Sequence, residues 1–251
     1  MKPRSVTALA LAATVALAFA WTLPLSAARG MGWDEAMHAA LPAARMLVAV
    51  EEGEPGLAAD ALLDCSQYPF AWPVALALVQ AATGLSEHAA RVAGTLAWCA
   101  ALFATFLAGR ELVRARAAST GAAGPFAPGA VVRRRPFGSA AHPAALRGSG
   151  WIPWLALALA ALSPLALAYA GTLFLEVPFA AACAFALRAW IARGAADPAR
   201  ERRSDLAAGA WIALAFFAKF NYGVLLALGL GADAAIGLAL AARRGRARGE
   251  R

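Results

Sequence analysis

The polar residues that could carry chemistry in this 251-residue chain stand at a few places in an otherwise apolar sequence. Asp34 and Glu35 directly follow the first apolar stretch. His38 lies four residues after Asp34, so the two share one face of a helix. A carboxylate so placed can accept a proton or hold a substrate group, and His38 is a further candidate substrate ligand. The alternative is structural, because acidic residues favour a helix N-terminus through the helix dipole.

A lone carboxylate, Glu176, stands between Leu175 and Val177 in a second apolar region. A charge flanked by membrane helices is costly and usually has a function. Pro178 is typical of the first turn of a helix, which places Glu176 at the outer water boundary, on the same side as Asp34. The two carboxylates could then share general-base duties with metal or substrate binding. Alternatively, Glu176 caps its helix.

Two cations are predicted on the same outer side. Lys219 occupies a tight turn between the last two apolar stretches, where its ammonium could hold a phosphate as a point charge. The alternative is a lysine that reaches the interface without a ligand. Arg91 could contact a phosphate, or it could neutralise Glu87. Asp233, in the middle of the last apolar stretch, has no obvious partner in the sequence and is expected to face a bundle interior or another chain.

Composition and charge order indicate a membrane protein. Hydrophobic residues make up 61% of the chain, and its mean hydropathy is +0.60, against about 45–50% apolar residues in soluble domains. Acidic residues concentrate after the first apolar stretch. These are Asp34, Glu35, Glu51, Glu52, Glu54, Asp60 and Asp64. Basic residues concentrate elsewhere, and cytoplasmic loops are the ones that carry excess Lys and Arg.

The net charge of +8 does not indicate nucleic-acid binding, because the basic residues form short runs between apolar stretches rather than one face. Cys65, Cys99 and Cys183 are too widely spaced to predict a disulfide framework or a metal cluster.

The predicted fold is all-α and polytopic, with six membrane helices in one module spanning 1–251. They are expected at 6–25, 87–108, 151–174, 177–191, 206–218 and 222–242. The first run, of about 20 residues, is longer than a signal-peptide core, so an uncleaved helix is favoured over a cleaved leader. The stretch 70–84 is too short to cross and is predicted to lie along the surface as a juxtamembrane helix.

This topology puts 18 of the 23 basic residues on the cytoplasmic side of a plasma or inner membrane, together with both termini. Residues 29–86 form an external loop with juxtamembrane helices. Residues 110–150, rich in Ala, Gly, Pro and Arg, form a flexible cytoplasmic loop, and 243–251 form a basic tail.

The order of these features resembles the N-terminal half of the GT-C glycosyltransferases, in the branch of protein mannosyltransferases, lipid A aminoarabinose transferases and RgtA/B/C/D-like enzymes. The likeness spans roughly 5–242. The segments that carry it are the Asp34-Glu35 pair, Tyr68-Pro69-Phe70-Ala71-Trp72, Gly84-Leu85-Ser86-Glu87 through Arg91, Leu175-Glu176-Val177-Pro178, and Gly209 through Lys219. The chain departs from the pattern in its broken double proline, in Glu176 where the family has Asp, and in lacking C-terminal helices.

The resemblance implies sugar transfer from a polyprenyl-phosphate-linked donor to a lipid, glycan or protein acceptor on the external face. Asp34, with Glu35 beside it, would act as the base, and Glu176 would hold the acceptor or a divalent metal, with Asp34 as a second candidate ligand. Lys219 and Arg91 would stabilise the released phosphate.

Two other functions are compatible with the sequence. One is a transporter module that binds a lipid phosphate without chemistry. The other is a non-catalytic assembly subunit, in keeping with the short length and with an expected partner chain that supplies the missing helices.

Overall fold

The computed structural model describes residues 3–27, 31–32, 36–64, 70–120, 150–163, 172–193 and 198–249. Throughout these ranges the protein is helical, with no strand, which confirms the all-α prediction. A short π-helix, Ala36–Ala40, precedes the second of nine α-helices. The α-helices are α1 Pro3–Ala27, α2 Leu41–Glu51, α3 Pro55–Leu63, α4 Ala71–Thr83, α5 Glu87–Thr120, α6 Ile152–Leu162, α7 Glu176–Ala192, α8 Pro198–Ala218 and α9 Phe220–Gly249.

Local chemistry explains several helix boundaries. The Ala89 N–H donates to Ser86 Oγ at 3.1 Å, so Ser86 caps α5 as its position before Glu87 predicts. Helix α4 ends at Gly84, whose φ of +92° is a conformation that glycine adopts without a steric penalty. Pro55 begins α3, where its missing N–H costs nothing.

Helices α1, α5, α6 and α7 form the main bundle. Helix α5 packs against α1, α6 and α7, and their shared core includes Trp98, Leu102, Phe106, Leu157 and Val177. Arg110 on α5 donates to the Thr7 hydroxyl near the start of α1, so these two helices are antiparallel. Helix α8 runs back along α7, with Phe185 and Trp211 stacked at 4.5 Å. Helix α9 then returns beside it.

Two helices are long and apolar enough to cross a membrane, namely Glu87–Ala115 within α5 and Asn221–Leu240 within α9. The other predicted spans do not reach that standard among the described residues. Helix α6 stops at Leu162, α7 has 17 residues, and the first turns of α8 carry Glu201 and other charges. Within the part of the chain that the structure describes, length and composition therefore identify two candidate membrane helices, and the prediction of six is not confirmed.

Helix α4 has 13 residues, which at 1.5 Å per residue makes it about 20 Å long. This is shorter than the roughly 30 Å hydrocarbon core of a bilayer. Its apolar residues Trp72, Leu76 and Ala77 are buried against other helices of the protein. The length of α4 is consistent with the prediction that residues 70–84 lie along the membrane surface rather than cross it.

The cytoplasmic loop predicted at 110–150 overlaps the end of α5, which continues to Thr120. Alanine and arginine are strong helix formers, and the Arg114–Glu111 ion pair, at 2.6 Å, adds support one turn apart. Positions 121–149 of that loop lie outside the described residues.

Candidate functional site

Glu176 and Lys219, which are 43 residues apart in sequence, form an ion pair in the structure. Glu176 is the first residue of α7, and Lys219 occupies the break between α8 and α9. The pair forms because α7 and α8 are antiparallel neighbours, which brings the start of one beside the end of the other. The Glu176 side chain is 38% exposed and that of Lys219 is 20% exposed, so both charges sit at the boundary of the fold.

One aromatic ring lies beside the Lys219 ammonium. Its Nζ lies 4.8 Å from the centroid of the Tyr222 ring, close enough for a cation–π interaction. Tyr222 in turn lies 5.8 Å from Phe179, measured between ring centroids. The Lys219 backbone is held on both sides, since its N–H donates to the Ala215 carbonyl and its carbonyl accepts from the Gly223 N–H, each at 2.9 Å. The lysine is therefore fixed in position and only partly hydrated.

The α8–α9 turn depends on a close backbone approach at Gly223. A Cβ added there would stand 2.3 Å from the Phe216 Cα, a distance that no side chain can occupy. Only glycine lets the two helices meet this tightly around Lys219.

A second core cluster joins the π-helix, α2, α4 and α5 to the segment before Glu176. Its members are Ala39, Ala43, Trp72, Leu76, Ala77, Ala90, Ala93, Leu173 and Leu175. Trp72 on α4 donates its indole N–H to the Leu173 carbonyl at 2.9 Å. Ala39, Ala90 and Leu175 are the chain neighbours of His38, Arg91 and Glu176. One packed cluster thus positions the backbone of three predicted site residues.

Arg91 is engaged with Glu87 on its own helix. Its Nε and Nη2 both donate to Glu87 Oε1, at 2.9 and 2.7 Å, and the Arg91 side chain is only 6% exposed. The sequence predicts either a phosphate contact or an ion pair with Glu87 for Arg91, and the structure shows the ion pair. The buried guanidinium also tethers the first turn of α5.

Asp34 and Glu35 lie outside the described residues, so the structure leaves their predicted catalytic role untested. Their chain neighbour Ala36 begins the π-helix, which holds half-buried His38. π-Helical segments frequently mark functional sites.

No group of three or more potential metal ligands from His, Cys, Asp and Glu exists among the residues that the structure describes. Glu176, the candidate ligand that is described, already neutralises the Lys219 ammonium. These residues alone do not make a metal centre, and no chemical step below depends on one.

Asp233 on α9 contacts two residues at the C-terminal end of α7, Trp190 and Arg193. Its Oδ2 accepts from the Trp190 indole N–H at 2.9 Å and lies 3.9 Å from Arg193 Nη2. Arg193 also stacks on the Trp190 ring, 3.3 Å from its centroid. Asp233, for which the sequence shows no obvious partner, therefore has two partners in this chain at the end of α7.

Comparison with known proteins adds no relative: no family profile, curated protein or solved structure matches this chain. Its function must be inferred from its own residues.

Proposed function

We propose that the protein is a membrane glycosyltransferase of the GT-C type. It would transfer a sugar from a polyprenyl-phosphate-linked donor to an acceptor on the external face. The observation that carries this proposal is the Glu176–Lys219 ion pair, which unites two predicted substrate-binding residues from distant parts of the chain. A half-buried ammonium beside a partly exposed carboxylate can exchange or share its partner with a phosphate.

The distribution of charge supports the membrane orientation of this site. Glu176 and Lys219 occupy one end of the α7–α8–α9 unit, and Arg188 and Arg193 lie toward the other end of α7. Because cytoplasmic segments retain excess arginine, we infer that the ion pair faces the external side. The full proposal has six crossings and both termini in the cytoplasm. It adds α1, residues 151–174, α7 and α8 to the two helices that meet the length criterion.

The proposed reaction needs few groups from the protein. The acceptor hydroxyl oxygen forms a bond to the anomeric carbon of the sugar, and the bond from that carbon to the phosphate oxygen breaks. The bonding electrons leave with the lipid phosphate, and Asp34 takes the hydroxyl proton. Lys219 stabilises the negative charge on the departing phosphate, where an ammonium in a partly water-excluded site is most effective.

The transporter alternative depended mainly on Asp233 as an unpaired intramembrane acid. Asp233 has Trp190 and Arg193 as partners, which gives it a structural role between α7 and α9. The assembly-subunit alternative has one observation in its favour. Only 6% of the apolar window in α9 is buried within the chain, so lipid or another protein covers that helix.

Substituting Lys219 by methionine is expected to lower the rate of transfer by about 100-fold, the usual effect of removing one transition-state charge donor. The measurement is transfer from radiolabelled polyprenyl-phosphate sugars to membrane acceptors, in vesicles that contain the full chain. Arg45→Met, which removes an exposed cation from α2, is the control and should retain the parental rate.

A double variant separates phosphate stabilisation from a purely structural ion pair. Lys219→Met combined with Glu176→Gln leaves no unpaired charge at the site. If Lys219 served only to neutralise Glu176, the double variant would recover the folding and rate lost in Lys219→Met. Recovery of the transfer rate would contradict the role of Lys219 in stabilising the phosphate, whereas continued loss with normal thermal stability would support it.

Reporter fusions test the orientation. We expect a reporter fused after Gly84 to lie outside the cytoplasm and a reporter fused after Pro128 to lie inside it. This follows because the short helix α4 does not cross the membrane, whereas α5 does. The reverse pair of results would mean that α4 crosses, and it would place the Glu176–Lys219 pair on the cytoplasmic side.

A further inference from the structure

Three arginines lie together at the end of the bundle that is away from the candidate site. Arg110 and Arg114 are one turn apart on α5, and Arg188 lies near the end of α7. The positive charges of Arg114 and Arg188 both repel that of Arg110, so the three side chains share one neighbourhood. The start of α1 also reaches this neighbourhood, because Arg110 donates to the Thr7 hydroxyl.

The positive charge of this group exceeds the negative charge beside it. The neighbouring carboxylate, Glu111, attracts Arg110 and forms an ion pair with Arg114 at 2.6 Å. Within the part of the chain that the structure describes, no ion pair involves Arg188, and its Nε is buried without an acceptor. Three positive charges are thus set against the single charge of Glu111. Their mutual repulsion opposes folding unless an anion joins them.

The arginines can be reached from outside the bundle. Arg110 and Arg188 are half-buried, and the Arg114 side chain is 51% exposed. The buried Nε of Arg188 is not an atom that a ligand could contact. The two terminal nitrogens of the same guanidinium are not buried in this way, since only its Nε is both inaccessible and unpaired. A guanidinium can donate two parallel hydrogen bonds to a phosphate, which makes phosphate the anion that best fits these groups.

Tryptophans at the same level of the bundle are typical of a membrane interface. Trp151, which is 58% exposed, immediately precedes α6, and Trp190 lies near the end of α7. The start of α6 lies close to α5 at Gly109, next to Arg110. Tryptophan is enriched where the hydrocarbon of a bilayer meets water, which is also the level of the lipid head groups. The phosphate presented to these arginines would therefore be that of a lipid.

We propose that Arg110 and Arg188 bind the phosphate of an anionic phospholipid in the cytoplasmic leaflet, between α5 and α7. Basic pockets between membrane helices on the cytoplasmic side bind anionic head groups in this way. Leu187, which precedes Arg188 and is 45% exposed, offers apolar surface to the acyl chains. Binding of the anion depends on the arginines alone. The assignment to the cytoplasmic leaflet rests on the membrane orientation that accompanies the proposed function.

The test is native mass spectrometry of the full chain in uncharged detergent micelles, with added phosphatidylglycerol or phosphatidylcholine of the same acyl chains. Phosphatidylglycerol is expected to bind at least about tenfold more tightly, because the choline cation of the other lipid neutralises its phosphate. Glycerol phosphate, which has no acyl chains, is expected to bind at least about tenfold more weakly than phosphatidylglycerol, because it buries no hydrocarbon.

Arg188→Met is expected to weaken phosphatidylglycerol binding by about tenfold, because a charge-assisted contact is lost. Methionine keeps the apolar stem and puts a methyl group in place of the buried Nε. Without lipid, the thermal unfolding midpoint of this variant should therefore be at least that of the parent. Arg110→Lys retains the charge but loses the planar fork, and it should weaken binding by about threefold. Arg203→Met, at an exposed arginine near the start of α8, is the control and should change binding by less than about twofold.

Equal binding of the two phospholipids, or phosphatidylglycerol binding that Arg188→Met leaves undiminished, would overturn the proposal. Equal losses in Arg188→Met and Arg203→Met would also overturn it, because total positive charge rather than this site would then attract the lipid. Glycerol phosphate that binds as tightly as phosphatidylglycerol would reject the lipid in favour of a soluble phosphate. None of these measurements requires sugar transfer, so their failure leaves the Lys219 experiment unaffected. A reporter after Pro128 that lies outside the cytoplasm would reject only the cytoplasmic leaflet.

Discussion

Replacing Asp34 by asparagine is expected to lower the rate of sugar transfer by about 10³-fold, within the range that a general base contributes. Asparagine keeps nearly the same shape but cannot accept the acceptor proton at neutral pH. The loss should appear mainly in kcat, because the proton moves in the transition state and donor binding does not require the base. The measurement is initial transfer rate at several donor concentrations in vesicles.

Asp60→Asn provides the matched control. Asp60 is an exposed carboxylate on α3 in the same acidic segment of the sequence, and its loss should leave the rate within about twofold. An Asp34→Asn variant with the parental rate would remove Asp34 as the base.

Truncating Trp72 to alanine is expected to destabilise the protein by about 3–5 kcal/mol, the usual cost of deleting a buried large aromatic side chain. Trp72 is 6% exposed, and it links α4 to the Leu173 carbonyl, three residues before Glu176. The truncation leaves a cavity in the second core cluster and an unpaired carbonyl. Denaturant unfolding in detergent micelles, followed by far-ultraviolet circular dichroism, measures the change in free energy of unfolding.

Trp72→Phe separates the two contributions. It retains most of the buried ring but loses the indole N–H, so its cost should be about 1–2 kcal/mol. Trp151→Ala, at a side chain that is 58% exposed, should cost under about 1 kcal/mol. Equal effects at Trp72 and Trp151 would contradict the packing described for α4.

The sequence predicts helix starts and the location of charges better than it predicts partners. Ser86 signals the start of α5 because capping is local, and its hydroxyl acts within three residues. The sequence predicts Glu176 and Lys219 in one site because charge asymmetry favours a topology in which both lie on the same side of a membrane. The direct contact between the two side chains cannot be predicted from the sequence, because it depends on how α7 packs against α8.

Other features cannot be predicted from the sequence, because they depend on contacts between helices that are distant along the chain. The partners of Asp233 lie 40 or more residues away on α7, and no local pattern marks Trp190 or Arg193 as their source. Gln80 gives no signal at all: in sequence it is one polar residue in an apolar helix, and only its burial in the fold leaves its side-chain oxygen without a hydrogen-bond partner. Helix length also departs from hydropathy at α5, where alanine and arginine extend the helix to Thr120.

The contacts between α7 and the α8–α9 hairpin have a mechanical consequence. The hairpin contacts α7 at two points, through the Glu176–Lys219 ion pair at one end and the Trp190–Asp233 hydrogen bond at the other. Along α9 the two points are about 20 Å apart. A shift of the α8–α9 hairpin along α7 by a single helical turn would break both the ion pair and the hydrogen bond. The two contacts therefore hold the Lys219 ammonium at a fixed position relative to α7.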